Sequence, residues 1–158
     1  MKLLIVLGSG GHTKEMVRLV DLLGQGYEYC YLVSADDELS VQKIKVGGAV
    51  YRVIRPRWKE TSLAVAVMRT LLSAAQAMVA LVRARPQAVI STGPGPAVPA
   101  SLLAKLLGVK VIYIETGSRV FTLSASGKIL YRFADLFFVQ WPELLSLCPK
   151  AIYAGRLW

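Results

Sequence analysis

Seven short runs rich in Val, Ile, Leu and Tyr recur along the chain, at 2–7, 29–34, 50–54, 88–92, 110–115, 136–140 and 151–154. Within most of them the apolar residues are continuous rather than alternating with polar ones. Strands buried on both faces have this pattern, as in a parallel sheet held between two helix layers. Between the runs, apolar spacing predicts helices over 11–23, 38–46, 61–85, 97–107, 124–134 and 142–147. No linker or low-complexity tract interrupts the alternation. The expected fold is α/β, a single domain over residues 1–158 with a doubly wound, mostly parallel sheet. Right-handed crossovers then line up the loops that follow the strands along one edge, where such sheets bind ligands.

The composition adds a surface problem to this picture. At 54% hydrophobic and 18% charged, the chain is more apolar than a soluble domain of its size, for which about 25% charged is usual, so part of that surface is expected to meet a membrane or a partner. The formal charge of +9 favours anionic lipid headgroups, phosphorylated substrates or nucleic acid. The basic residues fall in short local groups, without aromatics interleaved among lysines, which argues against nucleic acid. Cys30 and Cys148 suggest neither a disulfide framework nor a metal site, and fit a reducing cytoplasm. The apolar stretch after Met1-Lys2 is too short for a signal-peptide core and runs straight into glycines.

The unusual residues lie in the loops. Gly8-Ser9-Gly10-Gly11-His12-Thr13 follows a strand and opens a helix, a context in which glycines let backbone N–H groups approach a phosphate or diphosphate, although a plain tight turn reads the same way. Thr13 stands where a dinucleotide fingerprint needs its third glycine. His12, the chain's one histidine, can act there as a general base, bond a phosphate, or cap the helix. The stretch 91–99, with Gly93-Pro94 and Gly95-Pro96, is a rigid strand-to-helix connection that can hold a ligand or serve local structure. Glu115-Thr116-Gly117-Ser118-Arg119 closes the fifth run; Glu115 can take a proton or bind sugar hydroxyls, or instead cap the next helix or pair with Arg119. Ser126, Lys128 and Arg132 follow, the last two one helical turn apart, and with Arg119 they form a candidate diphosphate clamp.

Arg55, Arg57, Trp58 and Lys59 lead into the apolar helix 61–85, and basic residues beside tryptophan suit an anionic membrane interface. Ser62, Arg69, Ser73, Gln76 and Arg83 form one narrow polar stripe on that helix, leaving a wider apolar face to be buried in a membrane interface or against the sheet. The uncharged stretch between Arg69 and Arg83 falls short of the ~20 residues a spanning helix needs, so the helix is not expected to cross a bilayer.

Three stretches carry a resemblance: GSGGHTKEMVRL at 8–19, VKVIYIETGSRVFTLSASGKILYRFADLFFVQWPELL at 109–145, and AIYAGRLW at 151–158. They resemble the asparagine-linked glycosylation protein fourteen family and its PssD-type bacterial relatives, over nearly the whole chain. The glycine-His element also resembles MurG, and the SLSGK-like element departs at Ala125, where leucine is expected. The resemblance implies a Rossmann-like N-terminal half of a split GT-B glycosyltransferase, with a second polypeptide supplying the nucleotide-sugar half. It implies that Gly10, Gly11 and His12 face an acceptor diphosphate and the reacting hydroxyl, with Arg119 nearby, and Gly8, Ser9, Thr13, Gly93 and Gly95 in the loops are further candidates for holding the acceptor. It places His12 and Glu115 at the reacting hydroxyl, and Gly155, Arg156, Leu157 and Trp158 on the partner. Eukaryotic members carry an N-terminal anchor that this sequence lacks, which points to an exopolysaccharide-type relative held peripherally on the cytoplasmic face by its basic region.

The expected reaction is inverting transfer from a UDP-sugar to a polyprenyl-diphosphate saccharide such as one on undecaprenyl diphosphate, with His12 or Glu115 as base and neither metal nor cofactor. Two rivals remain: a non-catalytic membrane adaptor for a self-sufficient transferase, and a nucleotide-binding domain acting alone.

Overall fold

A computed structural model describes residues 1–56 and 62–157. Seven strands, β1 (Lys2–Val6), β2 (Glu28–Ser34), β3 (Gly48–Val53), β4 (Ala88–Ser91), β5 (Lys110–Ile114), β6 (Leu136–Val139) and β7 (Ile152–Tyr153), form one sheet in the order β3-β2-β1-β4-β5-β6-β7. Every pairing is parallel. Successive side chains of β1 enter opposite layers: Leu3 and Ile5 pack with Met16 and Val20 of α1 (Gly11–Leu23), while Leu4 and Val6 pack with α3 (Leu63–Ala84) and α4 (Ala97–Leu106). This two-sided burial is why the strands read as unbroken apolar runs. The chain moves outward from β1 in one direction through β2 and β3, then returns to β4 on the other side of β1. The reversal opens a crevice between the loops after β1 and β4, the usual ligand position of such sheets.

Some boundaries differ from the sequence expectation. Helix α2 is only Glu38–Gln42, with the Asp37 carboxylate accepting from Ser40 N–H as its cap. It stops because Ile44 and Val46 are drawn onto the apolar layer beside α1, where the Tyr31 hydroxyl donates to Val46 O. Strand β3 starts at Gly48, where a Cβ would overlap the Tyr29 carbonyl of the neighbouring strand. Helix α5 is Ala125–Leu130, and 142–146 form a 3-10 turn.

Helix α3 carries the largest group of exposed apolar side chains. Its 22 residues make it about 33 Å long at 1.5 Å per residue, long and apolar enough to cross a membrane by length and composition. Length and composition alone do not make it a membrane span. The helix is bound along one side into the sandwich, through Ser73, Ala77, Ala80, Leu81 and Ala84. Small residues let it approach the sheet closely. The polar stripe turns inward only in part: Ser73 is buried, Gln76 Oε1 accepts from Ile54 N–H (2.6 Å) and Arg69 Nε–H donates to Arg55 O (3.2 Å), while Ser62 and Arg83 are exposed. The wide apolar face, with Leu63, Val67, Met68, Leu71, Leu72, Val79 and Val82, is exposed.

Candidate active site at the switch point

The loop after β1 is shaped by contacts that only glycine permits. A Cβ on Gly8 would overlap Pro94 Cβ, so Gly8 lets the loops after β1 and β4 touch. Gly10 turns the chain at φ 72° and caps α1 without a side-chain hydrogen bond, while a Cβ on Gly10 or Gly11 would meet open space. The first N–H groups of α1 therefore face outward at the positive end of a helix, an arrangement suited to an anion. Ser9 is exposed beside them. Thr13 is fully buried and its hydroxyl donates to Gly8 O, closing the loop, so its side chain is withdrawn from any ligand.

The loop after β4 is held as tightly. Gly93 has φ 92°, and a Cβ there would overlap the Tyr113 hydroxyl; Ser126 Oγ–H donates to Gly93 O at 2.9 Å, tying α5 to this loop. Gly95 lies against Pro56. Between the loops is a cavity of about 190 Å³, lined by Gly8, Ser9, His12, Ser34, Arg55 and the Gly93–Pro96 turn. Arg55, paired with Asp36 at 3.0 Å, lines this cavity. Arg55, expected at a membrane, thus also borders the crevice, and Arg69 Nε–H donates to its backbone carbonyl. Arg57, Trp58, Lys59 and Trp158 lie outside the described residues.

His12 stands at the border of this cavity and a second one of about 240 Å³. Its Nδ1 lies 3.0 Å from the buried Thr92 Oγ1. Burial holds the imidazole pKa below its usual 6.5, opposed by the nearby Glu15 and by the bond to Thr92. A neutral ring at neutral pH is a competent proton acceptor. Arg55 on the first cavity and Lys14 on the second are further charged groups bordering those spaces.

Glu115 occupies a different place from the one expected of a base. It is fully buried, with Oε1 accepting from Thr116 N–H (3.1 Å) and Oε2 from Ser124 N–H (3.1 Å) and Oγ–H (3.2 Å). Burial raises its pKa. Both oxygens are committed to the loop and to the N-cap of α5, the capping alternative open in the sequence. Arg119, Lys128 and Arg132 are exposed and line neither cavity, so the expected clamp is not assembled in this chain.

The tail folds partly onto its own chain. Leu157 N–H donates to Gln140 Oε1 (2.8 Å), Arg156 stacks over Trp141 (4.5 Å), and Gly155 turns the backbone at φ 92°. Gly155, Arg156 and Leu157 border an apolar hollow of about 380 Å³ over the α1 side of β4, β5 and β6. Sequence reading missed Thr92, Ser34 and Glu15. Glu15 alone carried a signal, three residues after His12 and so on the same helix face.

Comparison with known proteins places this geometry. Residues 3–157 match the family described as "Oligosaccharide biosynthesis protein Alg14 like". The human UDP-N-acetylglucosamine transferase subunit ALG14 is 37% identical over 179 residues, covering 99% of this chain and 83% of the human protein. Among solved structures, Acinetobacter baumannii MurG aligns with a TM-score of 0.73 at 20% identity, over 90% of this chain and 42% of MurG. The UDP-GlcNAc 2-epimerase of Neisseria meningitidis aligns with a TM-score of 0.74 at 17% identity, over 99% of this chain and 47% of the epimerase. At such identities the likeness shows the fold, and the chain spans less than half of each of those structures. The fold is the Rossmann-like one of GT-B N-terminal domains, and the chain belongs to the Alg14-like family of oligosaccharide biosynthesis proteins.

Proposed function

We propose that this chain is the acceptor-side subunit of a two-chain inverting glycosyltransferase that adds a sugar from a UDP-sugar to a polyprenyl-diphosphate-linked saccharide. The observation that carries the reading is the position of His12, half-buried between a glycine-lined cavity bordered by Arg55 and a second cavity that it shares with Glu15. In this reading the α1 N-terminus, the Gly93–Pro96 turn and Arg55 hold the acceptor diphosphate. With Nδ1–H donated to Thr92 Oγ1, His12 Nε2 takes the proton of the acceptor hydroxyl as its oxygen bonds to the anomeric carbon. The bond from that carbon to the UDP oxygen breaks on the opposite face, and UDP leaves with the bonding pair. Donor binding in this reading belongs to a partner chain, in keeping with relatives named as a transferase subunit.

The exposed apolar face of α3 begins just beyond Arg55 and would lie in the cytoplasmic interface where the lipid acceptor resides. Such attachment is peripheral, because the opposite face of the helix is part of the protein core.

The test is transfer from a panel of labelled UDP-sugars into extracted membrane lipid by this chain, by a candidate donor-binding chain, and by both. Transfer by the pair alone is expected and would name the donor. Transfer to lipid by the partner alone would reduce this chain to an adaptor, and transfer by this chain alone would refute the half-enzyme reading.

A further inference from the structure

Glu15 is 4% exposed, on the same face of α1 as His12, and its two oxygens are treated very differently. Oε1 accepts three hydrogen bonds, from Gly117 N–H (2.7 Å), Thr116 Oγ–H (3.1 Å) and Gln140 Nε2–H (3.1 Å). It thereby joins α1 to the ends of β5 and β6. Oε2 is buried and has no partner among the described residues. Glu15 lines the cavity of about 240 Å³ with His12, Thr116, Ser118 and Leu157.

If this side chain served only to join the three elements, one oxygen would suffice. A second buried oxygen without a donor costs about 1–3 kcal/mol, and such an atom is uncommon unless a site uses it. The cavity is smaller than the ~300 Å³ lower bound for drug-sized ligands, which suits one sugar ring rather than an extended glycan. Glu15 and His12 both line this cavity, and a carboxylate and a neutral imidazole are acceptors that match a ligand presenting hydroxyl donors. We infer that Glu15 Oε2 accepts a hydrogen bond from the acceptor sugar and orients the hydroxyl that His12 deprotonates. This assignment rests on the acceptor-side reading above and adds the residue that aims the nucleophile. No atom is transferred to Glu15; the proton goes to His12.

The test compares wild-type, Glu15→Gln and Glu15→Ala chains, each paired with the donor-binding subunit, using the UDP-sugar that the wild-type pair accepts and extracted membrane lipid. Glu15→Gln keeps one oxygen for the three donors and puts an NH2 group in place of Oε2. It is expected to lower kcat about 10²-fold with little change in Tm or in the KM for UDP-sugar. Because Glu15 raises the His12 pKa, the acid limb of the kcat profile should also move to lower pH, which a purely structural role would not do. Glu15→Ala also removes the three-way junction and should lower Tm. A Glu15→Gln pair with kcat within about twofold of wild type, or a loss that only tracks Tm, overturns the inference. A raised UDP-sugar KM at unchanged kcat assigns Oε2 to the donor and overturns it too. Absence of lipid transfer by the wild-type pair would instead overturn the underlying function and this assignment with it.

Discussion

Gly127→Ala separates local propensity from tertiary packing because the two predict opposite signs. Gly127 lies inside α5, where alanine is favoured over glycine by about 1 kcal/mol, so the helix alone predicts stabilisation. In the fold, a Cβ at 127 would overlap Oε2 of the fully buried Glu115. That oxygen can retreat only by giving up the N–H and O–H of Ser124, whose hydroxyl also caps α5 by accepting from Gly127 N–H (2.9 Å). Two disrupted bonds at about 1–1.5 kcal/mol each, with a donor left unmet at about 1–3 kcal/mol, outweigh the propensity gain. The net loss is about 2–5 kcal/mol, and at ~2–4 °C per kcal/mol for a domain of this size Tm should fall by roughly 4–20 °C. Thermal unfolding followed by circular dichroism measures it. Glu115→Ala removes the obstacle, so Gly127→Ala made in that background should be neutral or mildly stabilising. A single Gly127→Ala variant with raised Tm would refute the packing argument.

His12→Ala in the reconstituted pair should lower kcat by about 10²–10⁴-fold, and the wild-type acid limb should titrate below pH 6.5 because burial disfavours the imidazolium; a limb above 6.5 would contradict the burial argument. The unfolded chain takes up that proton near 6.5 while the folded one resists, so the His12 contribution to stability is lost as pH falls from 6.5 through the folded pKa. Denaturant titrations of wild type and His12→Gln across that range should show the difference shrinking in the variant. On the outer face of α3, Leu71 is 66% exposed; burying two-thirds of a leucine is worth about 1–2 kcal/mol, so Leu71→Ser should weaken binding to anionic phospholipid vesicles roughly tenfold at unchanged Tm. Vesicle binding equal to wild type would remove this face from the interface.

Much of this protein is legible in its sequence because the relevant interactions are local. Continuous apolar runs specify strands buried on both faces, and the alternation with helices leaves little choice but a doubly wound parallel sheet. The glycines at 8–11 and 93–95 mark turns whose shape follows from missing Cβ atoms, and His12 stands out as a lone histidine beside them. Tertiary structure decided the rest. Periodicity divides α3 into two faces but cannot say which one packs; close approach favoured the side bearing Ser73, Ala77, Ala80 and Ala84 and left the larger apolar residues outside. Glu115 looked available as a strand-end carboxylate, yet the placement of α5 covers it with Ser124 and Gly127. Arg55 borders the crevice, a position set by the sheet order that its place in a basic run of the sequence does not reveal. Glu15 meets partners 101, 102 and 125 residues away, a set of donors that no local pattern encodes, because hydrogen bonds at such separation exist only once the strands have been ordered.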